Sequence, residues 1–305
     1  MSDRPAMRLL AVHAHPDDES LTMAATLASA AASGVGVTLV TCTLGEQGEV
    51  IGDELAGLAA EHADQLGGYR YTELREACRV LRVRDHRMLA GAGSFRDSGM
   101  AGTPSADHPR AFVRAADGGP DTERAVAALA AVVREVDPQV VLTYDADGGY
   151  GHPDHIAAHQ ITVAAVRRTP RADGQPRRLF AVVKPATAVQ VAVDRYETPP
   201  GYHRSRPEDL GFRVADHSVD AAVPVGPWAP VRREALAAHA TQVELLAGGF
   251  ALSNRVAQPD PLYECYRLLD GPALPGATDP GSPAVPGRSG PTPLTGAADL
   301  FAGLR

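Results

Sequence analysis

The chain has 305 residues and a formal charge of −8 at neutral pH, which argues against general affinity for nucleic acid or for an anionic membrane surface. Its 44% hydrophobic and 22% charged content is that of an ordinary globular protein, long enough for one large domain or two unequal ones. No run resembles a signal-peptide core or a membrane span, and Cys42, Cys78 and Cys265 show no CxxC spacing, so the expectation is a cytoplasmic protein with reduced, buried thiols.

In chain order, residues 8–14 (RLLAVHA) form a short continuous apolar run suited to a strand buried on both faces. A helix is predicted over 20–32, ending at Gly34, and 37–43 (VTLVTCT) repeats the strand signal, so the chain opens as a strand, helix, strand unit of a doubly wound sheet. Residues 73–81 read as helix. Over 122–136, Val126, Leu129, Val133 and Val136 recur at helical spacing, and Pro138 closes the segment. Residues 139–144 read as a further buried strand. Pro153 stands at a first-turn position and starts a helix running to 167. Strands at 178–184 and 189–193 and an amphipathic helix over 231–246 follow. Beyond 270 the chain becomes a Pro/Gly-rich tail, expected to be flexible or loosely docked. Neither a GxGxxG nor a GxxxxGK[ST] loop occurs, so the α/β pattern brings no nucleotide binding with it.

Two clusters carry the chemistry. The first, Ala14-His15-Pro16-Asp17-Asp18-Glu19, lies where the first strand hands over to the first helix, the place at which open α/β sheets bind ligands. His15 and Asp18, in one tight turn, can offer an imidazole nitrogen and a carboxylate oxygen to a divalent metal, with Asp17 left to face the water that the metal activates. Taken alone, the aspartates read equally well as helix caps. The second cluster, Gly148-Gly149-Tyr150-Gly151-His152-Pro153-Asp154-His155, follows the strand ending at Tyr144 and brings two more histidines to an equivalent strand end. Either histidine singly reads as an ordinary surface or core residue; two His/Asp clusters at two strand ends point to a shared metal. Two histidines and one carboxylate leave coordination positions open, the mark of a catalytic site, and suit zinc or ferrous iron. The additional carboxylate, Asp17, favours hydrolysis over oxygen chemistry, because activated water needs a nearby base.

These segments resemble the LmbE-like family of zinc N-deacetylases, which act on N-acetylglucosamine conjugates. The longer strings AHPDDESL, GGYRYTELREA at 67–77, SFRDSGM at 94–100, YDADGGYGHPDH at 144–155 and HATQ at 239–242 are similar to the mycothiol-pathway branch of that family, whose members remove acetate from N-acetylglucosaminyl inositol. The similarity spans residues 7–270. The resemblance implies one Zn2+ per subunit, with Fe2+ as the alternative, held by His15, Asp18 and His155. It implies Asp17 as general base, His152 as general acid toward the departing amine, Tyr150 as a mobile donor to the oxyanion and Asp154 as the partner that orients His152. It also implies Arg70 and Asp97 as sugar contacts, with Glu49 beside them. Ser20 resembles the deacetylases more than the related mycothiol S-conjugate amidases, in which a basic residue is expected nearby.

The resulting expectation is an α/β protein with a Rossmann-like, mostly parallel sheet flanked by helices over 1–185. A smaller C-terminal portion over 186–270 narrows the substrate cleft, and the tail occupies 271–305. The expected reaction is hydrolysis of an acetamide to free amine and acetate, on a small sugar substrate and with neither nucleic acid nor membrane as partner. Homo-oligomerisation is left open. The rival readings are amidase action on a thiol conjugate and metal-dependent sugar binding without turnover.

Overall fold

The apolar run RLLAVH becomes β1 (Arg8–His13), in which every residue after Arg8 is buried, as a strand with neighbours on both edges and helices over its faces requires. The computed structural model describes residues 7–275 and 299–304. After β1 come α1 (Asp18–Thr22), α2 (Ala24–Ala32), β2 (Gly36–Thr41), α3 (Leu66–Val80), β3 (Asp85–Met88), α4 (Pro120–Val136), β4 (Val140–Thr143), α5 (Pro153–Arg168) and β5 (Arg178–Pro185). These five strands run parallel in the order β3-β2-β1-β4-β5, since parallel neighbours need a crossover that a helix supplies.

The remaining elements are α6 (Ala186–Arg195), β6 (His203–Arg204), β7 (Arg213–Val214), β8 (Ala221–Pro224), α7 (Ala229–Ala238), β9 (Glu244–Leu246), β10 (Gly249–Ala251), β11 (Val256–Pro259) and β12 (Tyr263–Asp270). β12 joins the main sheet antiparallel to β5 and carries β8 on its other side, and β7 pairs with the end of β5. A second, smaller sheet has the order β6-β11-β10-β9. Residues beyond 185 thus contribute to both sheets.

The strand order reverses between β1 and β4, which are hydrogen-bonded neighbours in the register Leu9 to Val140, Leu10 to Val141 and Ala11 to Leu142. Segments leaving adjacent strands at such a switch point diverge and open a crevice at the carboxyl edge of the sheet. Here the diverging segments are AHPDDE after β1 and GGYGHPDH after β4.

Several elements differ from the sequence reading. The helix expected over 20–32 is two helices, α1 and α2, broken at Met23. The break is stabilised from far away: the buried Glu264 carboxylate accepts the Ala25 and Thr26 backbone N–H groups at 2.8 Å each and so caps α2. Residues 189–193 (VQVAV) alternate like a strand but lie within α6, where Val189 and Val193, four apart on one helical face, are the buried pair. The helix expected over 231–246 stops at Ala238, and residues 244–246 form β9. α3 begins at Leu66, seven residues before the predicted start at 73; Gly67 and Gly68 hide its first turn from a propensity reading. β3, β8 and β12 had no counterpart in the expectation.

All three cysteines are free and buried, as expected. Among the described residues no helix is long and apolar enough to cross a membrane. Of the tail, residues 271–275 and 299–304 are described, with Leu274 and Leu300 buried in the main core; the rest of that expectation lies outside the described residues.

Candidate active site

β1 ends at His13, and the turn that follows places His15, Asp17 and Asp18 at the crevice. Asp18 is the hub. Its Oδ2 lies 3.5 Å from His15 Nδ1 and its Oδ1 lies 3.5 Å from His155 Nε2, so one carboxylate spans imidazoles from both clusters. The same Oδ2 accepts the His15 backbone N–H at 3.0 Å and the Tyr144 hydroxyl at 2.7 Å. That hydroxyl in turn accepts the Ala14 N–H at 2.8 Å, and the Tyr144 ring stacks on His155 with centroids 4.1 Å apart. Tyr144 therefore ties the two strand ends together, whereas the sequence showed it only as the end of a strand. His155 Nδ1 is 3.1 Å from the Gly148 carbonyl, which fixes the proton on Nδ1 and leaves Nε2 as a lone-pair donor. Gly148 has φ 66°, and a Cβ there would sit 2.9 Å from His155 Cβ, so only glycine permits this approach.

Asp17 is engaged by a cation instead of an imidazole. Its Oδ2 accepts Arg70 Nη2 at 3.0 Å, and Arg70 also donates to the Pro16 carbonyl at 2.5 Å and to Gly45 at 2.6 Å. A side chain at Gly45 would occupy the place of that guanidinium. Burial raises the Asp17 carboxyl to about 6, with Arg70 pulling it down and Asp18 pushing it up.

In the second cluster His152, Asp154 and His155 are equally buried. The backbone N–H of Asp154 donates to His152 Nδ1 at 3.2 Å, so the proton of the neutral ring sits on Nε2. Burial pushes His152 down to about 3, with His15 and His155 adding to the effect. The Asp154 carboxylate, expected beside His152, meets His15 Nε2 at 3.3 Å and the Ser98 N–H at 2.9 Å instead. Tyr150 lies between Gly149 and Gly151, both with positive φ. Its ring is half-exposed and packs edge-on to His155 at 5.1 Å and to Phe212 at 6.1 Å.

Asp97 is buried, 3.6 Å from His15 Nε2, and accepts the Gly99 and Gln47 N–H groups. Its own N–H donates to the buried Glu46 carboxylate at 3.0 Å. Glu49, the acid named from the sequence, is exposed, and its carbonyl accepts Gln242 Nε2 at 3.3 Å. Ser20 has no exposed surface and gives its hydroxyl to Glu19 at 2.5 Å, so it faces inward and not toward the crevice. Glu46, Tyr144, Phe212, Glu19 and His239 were not assigned from sequence; HATQ was noted as a motif, but its histidine had no partner until the chain was folded.

The donor set fits a divalent cation. His155 Nε2 is buried without a hydrogen-bond partner. Asp18, Asp97 and Asp154 face His15, and no Lys or Arg among the described residues forms an ion pair with any of the three. Burial alone would lower the His15 imidazole, yet Asp97, Asp154 and Asp18 hold it well above its ordinary range; the acids favour positive charge in their midst. The ligand atoms of His15, His152 and His155 lie within 4.8 Å of one another, as do those of His15, Asp97 and Asp154.

A family model described as PIG-L, GlcNAc-PI de-N-acetylase, matches residues 10–166, the stretch from β1 to α5 that holds both clusters. The chain belongs to the PIG-L family. This bears out the LmbE-like resemblance. A protein of Nakamurella multipartita named 1D-myo-inositol 2-acetamido-2-deoxy-alpha-D-glucopyranoside deacetylase is 60% identical over 280 residues, which cover 92% of this chain and 94% of that one. Proteins of the same name from Rhodococcus opacus and Thermomonospora curvata are 49% and 47% identical over 282 residues, each covering 89% of this chain and 93% of its own.

Among solved structures, the fold of this PIG-L family member is similar to a deacetylase–teicoplanin complex, with TM-score 0.51 and 21% identity over 86% of this chain and 97% of that one. It is also similar to the 4-carboxy-2-hydroxymuconate hydratase of Pseudomonas putida, with TM-score 0.50 and 19% identity over 77% and 80% of the two chains. One architecture therefore carries different reactions, and the side chains, not the fold, have to select one.

Proposed function

We propose that this chain hydrolyses the acetamide of 1D-myo-inositol 2-acetamido-2-deoxy-α-D-glucopyranoside to the free amine and acetate, in mycothiol biosynthesis. The observation that carries the proposal is the 60% identity to the Nakamurella deacetylase along 94% of that protein's length. The site chemistry supports the same reaction. His15, Asp18 and His155 would hold one Zn2+, with Fe2+ as the alternative for this donor set. When bound, the ion supplies a Lewis acid and draws the pKa of a water toward about 7.

The chain's own residues do the rest. Asp17, with Oδ2 held by Arg70, takes the proton of the attacking water at Oδ1; a carboxyl near 6 is basic enough to accept it and acidic enough to release it. Tyr150, free to swing on its glycine flanks, donates its hydroxyl to the carbonyl oxygen as that atom gains charge. The departing nitrogen cannot leave as an anion; the negative charge on the former carbonyl oxygen favours uptake of a proton by His152 at Nδ1, which releases the Asp154 N–H, and the resulting imidazolium gives its Nε2 proton to that nitrogen and returns to the neutral ring. Asp154 holds His152 through its backbone N–H and His15 through its carboxylate. Asp97 and the exposed Glu49 are proposed as contacts to sugar hydroxyls. Arg70, whose Nη groups are engaged within the protein, is proposed to act on the sugar site through Asp17.

The test is a side-by-side measurement of kcat/KM on the N-acetylglucosaminyl inositol substrate and on a mycothiol S-conjugate. Preference for the acetamide is expected, and preference for the conjugate would transfer the chain to the amidases.

A further inference from the structure

The structure assigns Glu19 and His239 a task in positioning: together they hold the backbone of Asp17 in the conformation from which its carboxylate faces the crevice. The inference rests on the reading of Asp17 as base.

Asp17 has φ 113° and ψ −30°, a region that favours glycine and that an L side chain occupies only under restraint. Three fastenings supply the restraint. The Asp17 carbonyl accepts the Ser20 and Leu21 N–H groups at 2.9 Å each, the carboxylate is held by Arg70, and the Asp17 N–H donates to Glu19 Oε2 at 3.1 Å. The last fixes the peptide plane that enters the strained residue from its N–H side, opposite the Arg70 bond to the Pro16 carbonyl.

Glu19 is itself fixed from the far end of the chain. It has no exposed surface, and Oε1 lies 2.7 Å from His239 Nε2. His239 is likewise fully buried, and its carbonyl accepts the Gln242 and Val243 N–H groups at 2.9 and 2.8 Å. A carboxylate in such a place needs hydrogen-bonded partners to remain there; the neighbouring Ser20 hydroxyl supplies one, and His239 supplies the one that comes from outside the turn. Neither side chain reaches the crevice, so neither is a catalytic residue. Without the acceptor, the Asp17 N–H is left unpaired in a buried site, and the backbone relaxes toward ordinary φ with the carboxylate displaced.

The test compares Glu19→Ala, Glu19→Gln and His239→Ala in the metal-loaded protein, reading metal stoichiometry, KM and kcat per bound metal. Glu19→Gln keeps an acceptor for Asp17 and offers His239 a donor for its other tautomer, so it serves as the rescue. Glu19→Ala and His239→Ala are expected to keep metal and KM while kcat per bound metal falls about 10²-fold and about 10-fold respectively, with Glu19→Gln within about fivefold of the parent. A His239→Ala protein with parental kcat per bound metal, its loss confined to folded yield, overturns the proposal whatever Glu19→Ala does. Amide exchange in the unsubstituted protein gives a reading that no misfolded variant can obscure: a protected Asp17 N–H is expected, and exchange at the rate of an open loop overturns it. Full activity in Asp17→Ala would overturn the base reading itself, a result distinct from either.

Discussion

Arg70 Nη2 stands 3.0 Å from Asp17 Oδ2 while the same guanidinium binds the carbonyls of Pro16 and Gly45. A cation placed this way keeps its partner acid ionised, and Asp17 needs that help because burial raises its carboxyl to about 6. A base must be ionised to act, so activity rises with pH through its titration. Arg70→Met removes the cation, the Asp17 carboxyl rises further, and the rising limb of the kcat profile is expected to move to higher pH by about 1 to 2 pH units. An arginine that only bound sugar would raise KM and leave the limb where it was.

Tyr144 gives the Asp18 carboxylate its shortest hydrogen bond, 2.7 Å, and stacks on His155. Tyr144→Phe keeps the ring and removes the hydroxyl. Loss of a partner that orients a metal ligand typically weakens metal affinity about 10- to 100-fold. A competition titration with a chelator is expected to show that loss, with kcat nearly unchanged once metal is saturating. Unaltered affinity would mean that the hydroxyl only joins β1 to β4.

The parts legible in the sequence are those that depend on neighbours along the chain. RLLAVH announces a buried strand by its composition alone, and the two His/Asp clusters are contiguous strings. Their convergence follows once the first and fourth strands are taken as adjacent. What escaped the reading depends on partners far away. The break at Met23 is stabilised by Glu264, and no local rule predicts a cap from the other end of the chain. VQVAV alternates, but the surface available to it after β5 suits a helix burying Val189 and Val193. Arg70, a sugar contact by resemblance, shows its bond to Asp17 only in the folded chain, and the histidine of HATQ has no meaning without Glu19.

Asp17 and His15 lie two positions apart but are assigned different work. Asp17→Ala is expected to retain bound metal and lose activity by about 10²- to 10⁴-fold, the usual contribution of a positioned proton-transfer group. His15→Ala is expected to lose the metal, because both ring nitrogens face acids of the site. Metal analysis of the two purified variants separates these outcomes, and equal metal loss in both would remove the division of labour.

Glu264 belongs to the fold and not to the reaction. Its two oxygens satisfy the Ala25 and Thr26 N–H groups, and Oε2 also accepts the Thr26 hydroxyl at 2.6 Å. Glu264→Ala leaves buried donors unpaired at the start of α2, a loss of about 1 to 3 kcal/mol. Urea unfolding is expected to show it as a lower midpoint, with kcat of the folded fraction preserved.

The central claim is tested most directly by quantifying amine and acetate released from 1D-myo-inositol 2-acetamido-2-deoxy-α-D-glucopyranoside, first with the chelated protein and then after one equivalent of Zn2+ or Fe2+ is restored. Equal amounts of the two products, appearing only when metal is present, are the expected result. A folded, metal-loaded protein that leaves the acetamide intact would contradict it.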